Sequence, residues 1–286
     1  MANLKEIRSR INSVSSTMKI TSAMKMVSAA KLKKAQDQMT NIRPYSVGLS
    51  KMIQNLLPNI DLSEVKLTSS AANAKNKTLI LAITSNRGLC GAFNANIFKK
   101  AKECSDDCEV FCIGKKGAEI FKRNKYNVIK EEFDLLDNIK ESSSTTLSKE
   151  IINNFEKGEW SKVIVIYNKF KNAGTQIIES KQVLPIVLNN KDQIKSTSTS
   201  DYIFEPDTTT IINHLMPKEV KTNIFEAILN SIASEHGARM TAMHKATDNA
   251  NELKEDLTLT YNRQRQAAIT NEILEIVAGA EALKGS

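Results

Sequence analysis

Residues 233–283, ASEHGARMTAMHKATDNANELKEDLTLTYNRQRQAAITNEILEIVAGAEAL, contain no proline and only two glycines, Gly237 and Gly279. They are rich in helix-forming residues. A second helical run, 218–231, precedes them directly. One helix starting near Pro217 and reaching almost to the end of the chain would hold about 65 residues and measure roughly 100 Å at 1.5 Å per residue. Globular helices are rarely so long. Such a helix frays into water unless a partner covers its flank, because most helical stability in proteins comes from packing one face.

The first part of the chain offers that partner. From 4 to 57, apolar or small residues recur at Leu4, Ile7, Ile11, Val14, Met18, Thr21, Met24, Ser28, Leu32, Ala35, Met39 and Ile42. Steps of three and four in near alternation are the seam of a coiled coil. In its middle the seam is small, polar and methionine-rich, which permits close approach of two helices without making a strong zipper. Pro44 is expected to bend this helix, and SVGLSKMIQNLLP continues it to Pro58. Up to Met39 the stretch carries Lys5, Arg8, Arg10, Lys19, Lys25, Lys31, Lys33 and Lys34 against Glu6 and Asp37. The C-terminal stretch is close to neutral and slightly acidic, so the two suit each other as partners.

Between these helices the pattern changes. After a polar loop over 59–76, TLILAIT (78–84), EVFCI (109–113) and KVIVIY (162–167) are short apolar runs of the kind that form buried strands. Residues 126–133 are read as an edge-like strand. Residues 175–188 are read as one or two antiparallel strands interrupted at Pro185. Helices are expected over 94–102, 117–124 and 142–157, the last with Ser143 or Ser144 as N-cap. A polar loop over 191–200, a short strand over 202–204 and a turn at Glu205-Pro206-Asp207 complete the segment. Strand and helix alternate, which gives an α/β unit with a mostly parallel, Rossmann-like sheet. The fold class is therefore α/β, with a long antiparallel coiled coil of the two terminal helices. The expected division is 1–58, 59–208 and 209–286, the first and last segments pairing.

A chain of 286 residues, 41% hydrophobic and 25% charged, has the composition of a soluble globular protein. No apolar run approaches the roughly 20 residues that span a bilayer. The start, MANLKEIRSRINS, is charged and lacks the apolar centre of a secretory signal. The net charge of +8 favours acidic partners. Nucleic acid is the weaker choice, because aromatic residues are only 5% and none interleave the basic residues of the first helix. The cysteines, Cys90, Cys104, Cys108 and Cys112, lack CxxC pairs and neighbouring histidines, so reduced, mostly buried thiols are expected rather than zinc or disulfides.

Catalytic chemistry is hard to assemble. SNRGLCGAFN (85–94) lies at a strand-turn-helix junction where Gly88 and Gly91 invite a phosphate-binding reading. It is neither GxGxxG nor a P-loop, and no GxxxxGK[ST] occurs, so tight-turn glycines are the preferred reading. Gly114 and Gly117, around Lys115 and Lys116, carry a weaker form of the same signal. His236 and His244, eight apart, are expected to serve core or interface packing. No acid, base and orienting group come together. We expect no catalytic residue, no cofactor and no metal.

The motifs also carry a resemblance. Residues 4–39 resemble the N-terminal helix of the gamma subunit of F-type ATP synthases, with the KITxAMxMVxAxK core matched by 19–31. EHGARMTAMHKATDNA and LTLTYNRQRQAAITNEILEIVAGAEAL resemble that family's C-terminal signature, and SNRGLCGAFN its central motif. The resemblance spans essentially the whole chain. It implies a non-catalytic rotor shaft whose terminal helices stand inside a hexamer of alternating alpha and beta subunits. The epsilon subunit and the ring of c subunits would lie at the other end, and the ring's proton flow would drive ATP synthesis. Motif by motif, it implies hexamer contacts at Met24, Arg87, Arg265, Gln266, Thr270 and Glu275. It implies a ring- and epsilon-side foot at Tyr202, Glu205 and Asp207. It also implies a peripheral protein on the cytoplasmic side of a bacterial inner membrane, since no convincing transit peptide is present. One departure is Asn86, where the family usually carries aspartate. The alternatives are a nucleotide-binding α/β protein and a basic helical-hairpin binding module.

Overall fold

The computed structural model describes residues 4–56, 65, 67–70, 74–104, 108–137, 141–186 and 205–284. The chain forms α1 (Leu4–Leu56), β1 (Thr78–Ile83), α2 (Phe93–Cys104), β2 (Cys108–Ile113), α3 (Lys115–Arg123), β3 (Asn127–Glu132), α4 (Asp134–Asp137), α5 (Glu141–Glu156), β4 (Lys162–Asn172), β5 (Thr175–Leu184) and α6 (Thr208–Lys284). Two compact units result. One comprises Met1–Val27 with Met240–Ser286, the other Ser28–Arg239, and α1 and α6 contribute to both.

In the first unit the two helices meet along the expected seam. Every seam position of α1 from Leu4 to Met24 is buried or half-buried. On α6, Met243, Thr247, Ala250, Lys254, Leu257, Tyr261 and Gln264 are covered at alternating steps of four and three. The Thr21 and Thr247 hydroxyls lie 2.8 Å apart. Leu4 lies as far before Thr21 as Gln264 lies beyond Thr247, so coverage of α6 stops where α1 begins and the pair runs antiparallel.

The second unit is built on a five-stranded sheet of order β3-β2-β1-β4-β5. β1 pairs in parallel with β2 and with β4, and β2 with β3; β5 closes the far edge antiparallel to β4. Successive side chains of a strand point to opposite faces. Ile80, Ala82, Val110, Cys112, Ile164 and Ile166 therefore share one face, where they pack on Ile97 and Ala101 of α2 and Ala118 and Phe121 of α3. The intervening Leu79, Leu81, Ile83, Ile113, Val163 and Val165 are equally buried. Strands covered on both faces read as continuous apolar runs rather than alternating ones, which is what β1, β2 and β4 show. The rest of α1 buries Leu32, Ala35, Leu49, Ile53 and Leu56 in this unit.

Several boundaries differ from the sequence reading. α6 begins at Thr208, not near Pro217, which lies within the helix. Asp207 supplies the start: its carboxylate accepts the Thr210 N–H and hydroxyl, both at 2.7 Å. Ile212 and Met216 give the first turns a fully buried face, which outweighs the single ladder hydrogen bond that Pro217 removes. Pro44 likewise sits inside an unbroken α1. α5 begins at Glu141, so Ser144 is not a cap. It is buried inside the helix, and its carbonyl accepts the Ser148 hydroxyl at 2.7 Å. β4 continues past Tyr167 to a hairpin whose turn is closed by Asn172, the Oδ1 of which accepts the N–H groups of Gly174 and Thr175. The short α4 was not anticipated. The expected loop over 191–200 and strand over 202–204 lie outside the described residues, as does most of the loop over 59–76.

Candidate functional site

Parallel sheets of this kind bind ligands where the strand order reverses, outside the carboxyl ends of the strands. Here the order reverses between β1 and β4. α6 fills that position. Ser231 donates to the Ile83 carbonyl at 3.4 Å and Ser234 to the Asn168 carbonyl at 2.8 Å, while Asn230 accepts the Phe170 N–H at 3.4 Å. At Gly237 an added Cβ would come within 3.2 Å of Ala173 in the β4–β5 turn, so the helix backbone presses directly on the hairpin. The crevice that would receive a nucleotide in a Rossmann-type enzyme holds this chain's own long helix.

The start of α3 is equally taken. Its first amides would form an anion site if they faced outward. Instead the Lys115 N–H donates to Asn86 Oδ1, Lys116 N–H to the Ser85 carbonyl and Gly117 N–H to Thr84 Oγ1. Gly114 has φ +110, and a Cβ on it or on Gly117 would collide with Thr84. These glycines exist for close packing of α3 on the end of β1, not for a phosphate. Asn86 also donates through Nδ2 to the Phe133 carbonyl at 2.8 Å. A carboxylate could not make that bond, so the departure from aspartate joins the turn to the end of β3.

Beyond β1 the chain makes a tight turn through Arg87, Gly88, Leu89 and Cys90. Ser85 and Asn94 close it from within: the Ser85 hydroxyl donates to the Arg87 carbonyl at 2.7 Å, and Asn94 Nδ2 donates to Ser85 Oγ at 2.8 Å. Arg239 of α6 grips it from outside. Its Nη2 donates to the Arg87 carbonyl at 3.0 Å and its Nε to the Gly88 carbonyl at 3.2 Å. Nη2 also pairs with Glu235 at 2.7 Å, and the two side chains are 8% and 10% exposed. Removing one partner of such a buried pair typically costs about 3–5 kcal/mol, because the other is left uncompensated. Leu89 is held at φ +63 and is 62% exposed. A left-handed leucine costs roughly 1–2 kcal/mol, and in water its side chain recovers none of it. Arg87 is exposed beside it. The Glu235–Arg239 pair shows in the sequence only as an i, i+4 spacing, which does not reveal burial.

The other residues implied by the resemblance are spread along the chain. Arg265, Gln266, Thr270 and Glu275 all lie on α6 beyond Gln264, where every described side chain to Ala280 is exposed. Ile269, Ile273, Leu274, Ile276 and Val277 are among them, each at least 49% exposed. Residues 265–280 are about 24 Å of helix whose described side chains all stand uncovered. Met24 is half-buried in the seam; the outward apolar residues near it are Ile20, Met26 and Val27. Glu205 is exposed, Asp207 caps α6, and Tyr202 lies outside the described residues. His244 lies outside this chain's core: it is exposed, 3.2 Å from Asp248. His236 is half-buried, with Nδ1 3.3 Å from Arg239.

The four cysteines are free thiols, three of them buried and Cys104 half-buried. Burial raises the Cys90 thiol above its ordinary value and pushes Cys112 up to about 12. Both stay protonated at neutral pH and are poor nucleophiles. Among the described residues, no three His, Cys, Asp or Glu side chains are grouped to hold a metal ion.

A family profile described as ATP synthase matches residues 3–283. The chain is 52% identical to the ATP synthase gamma chain of Flavobacterium psychrophilum over 290 residues, covering 100% of both chains. It is 43% identical to that of Chlorobium phaeobacteroides, again over 100% of both. Among solved structures, a chain of the Euglena gracilis mitochondrial ATP synthase OSCP/F1/c-ring assembly superposes with a TM-score of 0.69 at 20% identity, covering 98% of this chain and 94% of that one. A chain from the rotor of the same enzyme gives 0.64 at 18%, over 93% and 98%. The superpositions show a shared fold, and full-length identity makes this protein a member of the ATP synthase gamma chain family.

Proposed function

We propose that this gamma chain, the central shaft of a rotary ATP synthase, is itself non-catalytic and works through three sets of neighbours. Its terminal segments, 1–58 and 209–286, form the shaft inside a hexamer of alpha and beta subunits. The segment 59–208 and its foot meet the epsilon subunit and the c-subunit ring. Rotation of the ring by proton flow turns the shaft, and the shaft's uneven surface carries each catalytic beta subunit through its states. Among the described residues no helix is long and apolar enough to cross a membrane, which agrees with a peripheral position on the cytoplasmic face of a bacterial inner membrane.

The observation that carries this reading is the uncovered end of α6. Isolated helix in water is marginal, and an exposed row of Ile269, Ile273, Ile276 and Val277 exceeds what a free surface helix needs. A sleeve from other chains would cover it. Arg265, Gln266, Thr270 and Glu275 are the polar contacts there, Met24 and Arg87 the contacts further along, and Tyr202, Glu205 and Asp207 the foot. Weak apolar contact suits a bearing, since strong directional bonds would hold one angle.

The test is co-purification. Tagged chain expressed in its own cell is expected to bring down an ATP-hydrolysing alpha–beta hexamer, and Met24→Lys is expected to impair proton pumping per ATP hydrolysed more than assembly. Capture of no hexamer sinks the reading; unchanged pumping per ATP in Met24→Lys removes Met24 from the contact set.

A further inference from the structure

A side chain on an exposed loop can load a shaft only if the loop is rigidly tied to it. The turn that displays Arg87 and Leu89 follows β1 directly, but its carbonyls are not free to flex. Two of them, of Arg87 and Gly88, accept hydrogen bonds from the single guanidinium of Arg239. That guanidinium is locked by Glu235, one turn earlier on the same helix, at 2.7 Å. Both of these Arg239 donors come from α6 itself, and they add to the bond that the Ser85 hydroxyl makes to the Arg87 carbonyl from within the turn. Charge-assisted bonds in a desolvated setting are the strong kind. Leu89, strained and largely in water, fits a conformation imposed on the turn for display rather than for the packing of this chain.

We infer that the buried Glu235–Arg239 pair is a positioning device that makes the exposed Arg87–Leu89 turn mechanically part of α6. Load taken by Arg87 and Leu89 in the assembled enzyme then enters the helix directly through two carbonyls and one guanidinium, in addition to the turn's own attachment to β1. The load path rests on the proposal that Arg87 faces the hexamer; the positioning role does not.

Two measurements test it. Hydrogen exchange on the full chain reads positioning alone. Arg239→Gln is expected to speed exchange of the amides of residues 87–91 by about 10-fold or more while β1 amides stay protected. Unchanged exchange in the turn overturns the proposal. If Arg239→Gln does not fold, Arg239→Lys, which keeps the charge but cannot reach both carbonyls in a fixed fork, is read in the same way. In the assembled synthase a double-mutant cycle reads the load path. Arg87→Ala and Arg239→Gln are each expected to lower the ATP-driven rotation rate, and the double variant to be no slower than Arg239→Gln alone. Effects that multiply overturn the path, because independent sites add in free energy. An enzyme indifferent to both Arg87→Ala and Leu89→Ala overturns the hexamer-contact reading and the path with it, and the exchange result then decides positioning by itself.

Discussion

Thr21 of α1 and Thr247 of α6 face each other with their hydroxyl oxygens 2.8 Å apart. Each hydroxyl also lies within reach of a carbonyl on its own helix, Met18 at 3.1 Å and Met243 at 2.8 Å. The pair marks the register of the coiled coil from within the seam. Thr21→Val alone is expected to lower stability by about 1 kcal/mol, because Thr247 loses its cross-helix partner in a half-buried site. Adding Thr247→Val should recover most of that loss, since replacing both partners by apolar groups of the same shape can be nearly neutral. Thermal unfolding followed by circular dichroism distinguishes the two; a double variant as destabilised as the sum of the singles would mean that no pairing exists.

Acid sensitivity is expected at Glu109. The Lys77 ammonium at 2.7 Å and the Trp160 indole N–H at 2.9 Å hold its carboxyl below the usual 4.5. A lowered folded value adds stability that is fully present above about 4.5 and is lost as pH falls through the folded value. Glu109→Gln is therefore expected to be less stable than the parent at pH 7, by on the order of 1 kcal/mol given the half-exposed Lys77. The difference should shrink below pH 4.5. Trp160 is the only tryptophan, so its fluorescence reports on this site directly.

Gly117→Ala should be poorly tolerated. The new methyl would stand 2.3 Å from Thr84 Oγ1, and that oxygen also accepts the Gly117 N–H and donates to the Ile113 carbonyl. Forced repacking of this kind costs about 1–3 kcal/mol. A melting temperature equal to the parent's would show that α3 can slide away from β1 freely.

The purified chain should not bind ATP tightly. The strand-order reversal is filled by Ser231, Ser234 and Gly237 of α6, and the α3 amides are bound internally. Isothermal titration is expected to show no saturable site at micromolar ATP; stoichiometric binding would require α6 to leave its groove and would revive the nucleotide-binding alternative.

Ending the chain after Gln264 should leave its fold intact. The residues removed are exposed throughout their described length, so the melting temperature is expected to move by no more than about 2 °C. Hexamer capture should nevertheless fall sharply. A truncated chain that melts far below the parent would show that this end of α6 does pack within its own chain.

Local pattern was enough to find both long helices, the four parallel strands and the α1 seam from Leu4 to Met24, because a period of 3.5 and a continuous apolar run are both written in neighbouring residues. The start of α6 escaped it: Pro217 looks like a beginning, and only the packing of Ile212 and Met216 shows that it is not. Sequence motifs also carried the family, and with it the shaft. What the sequence left open was what fills the end of the sheet. Glycines at strand-turn-helix junctions look the same whether they face a phosphate or a threonine. Glu235 and Arg239 look like any surface pair four residues apart. Their burial depends on a turn some 150 residues away in the chain, and desolvation of a charge is a property of the surrounding volume, which only the tertiary structure supplies.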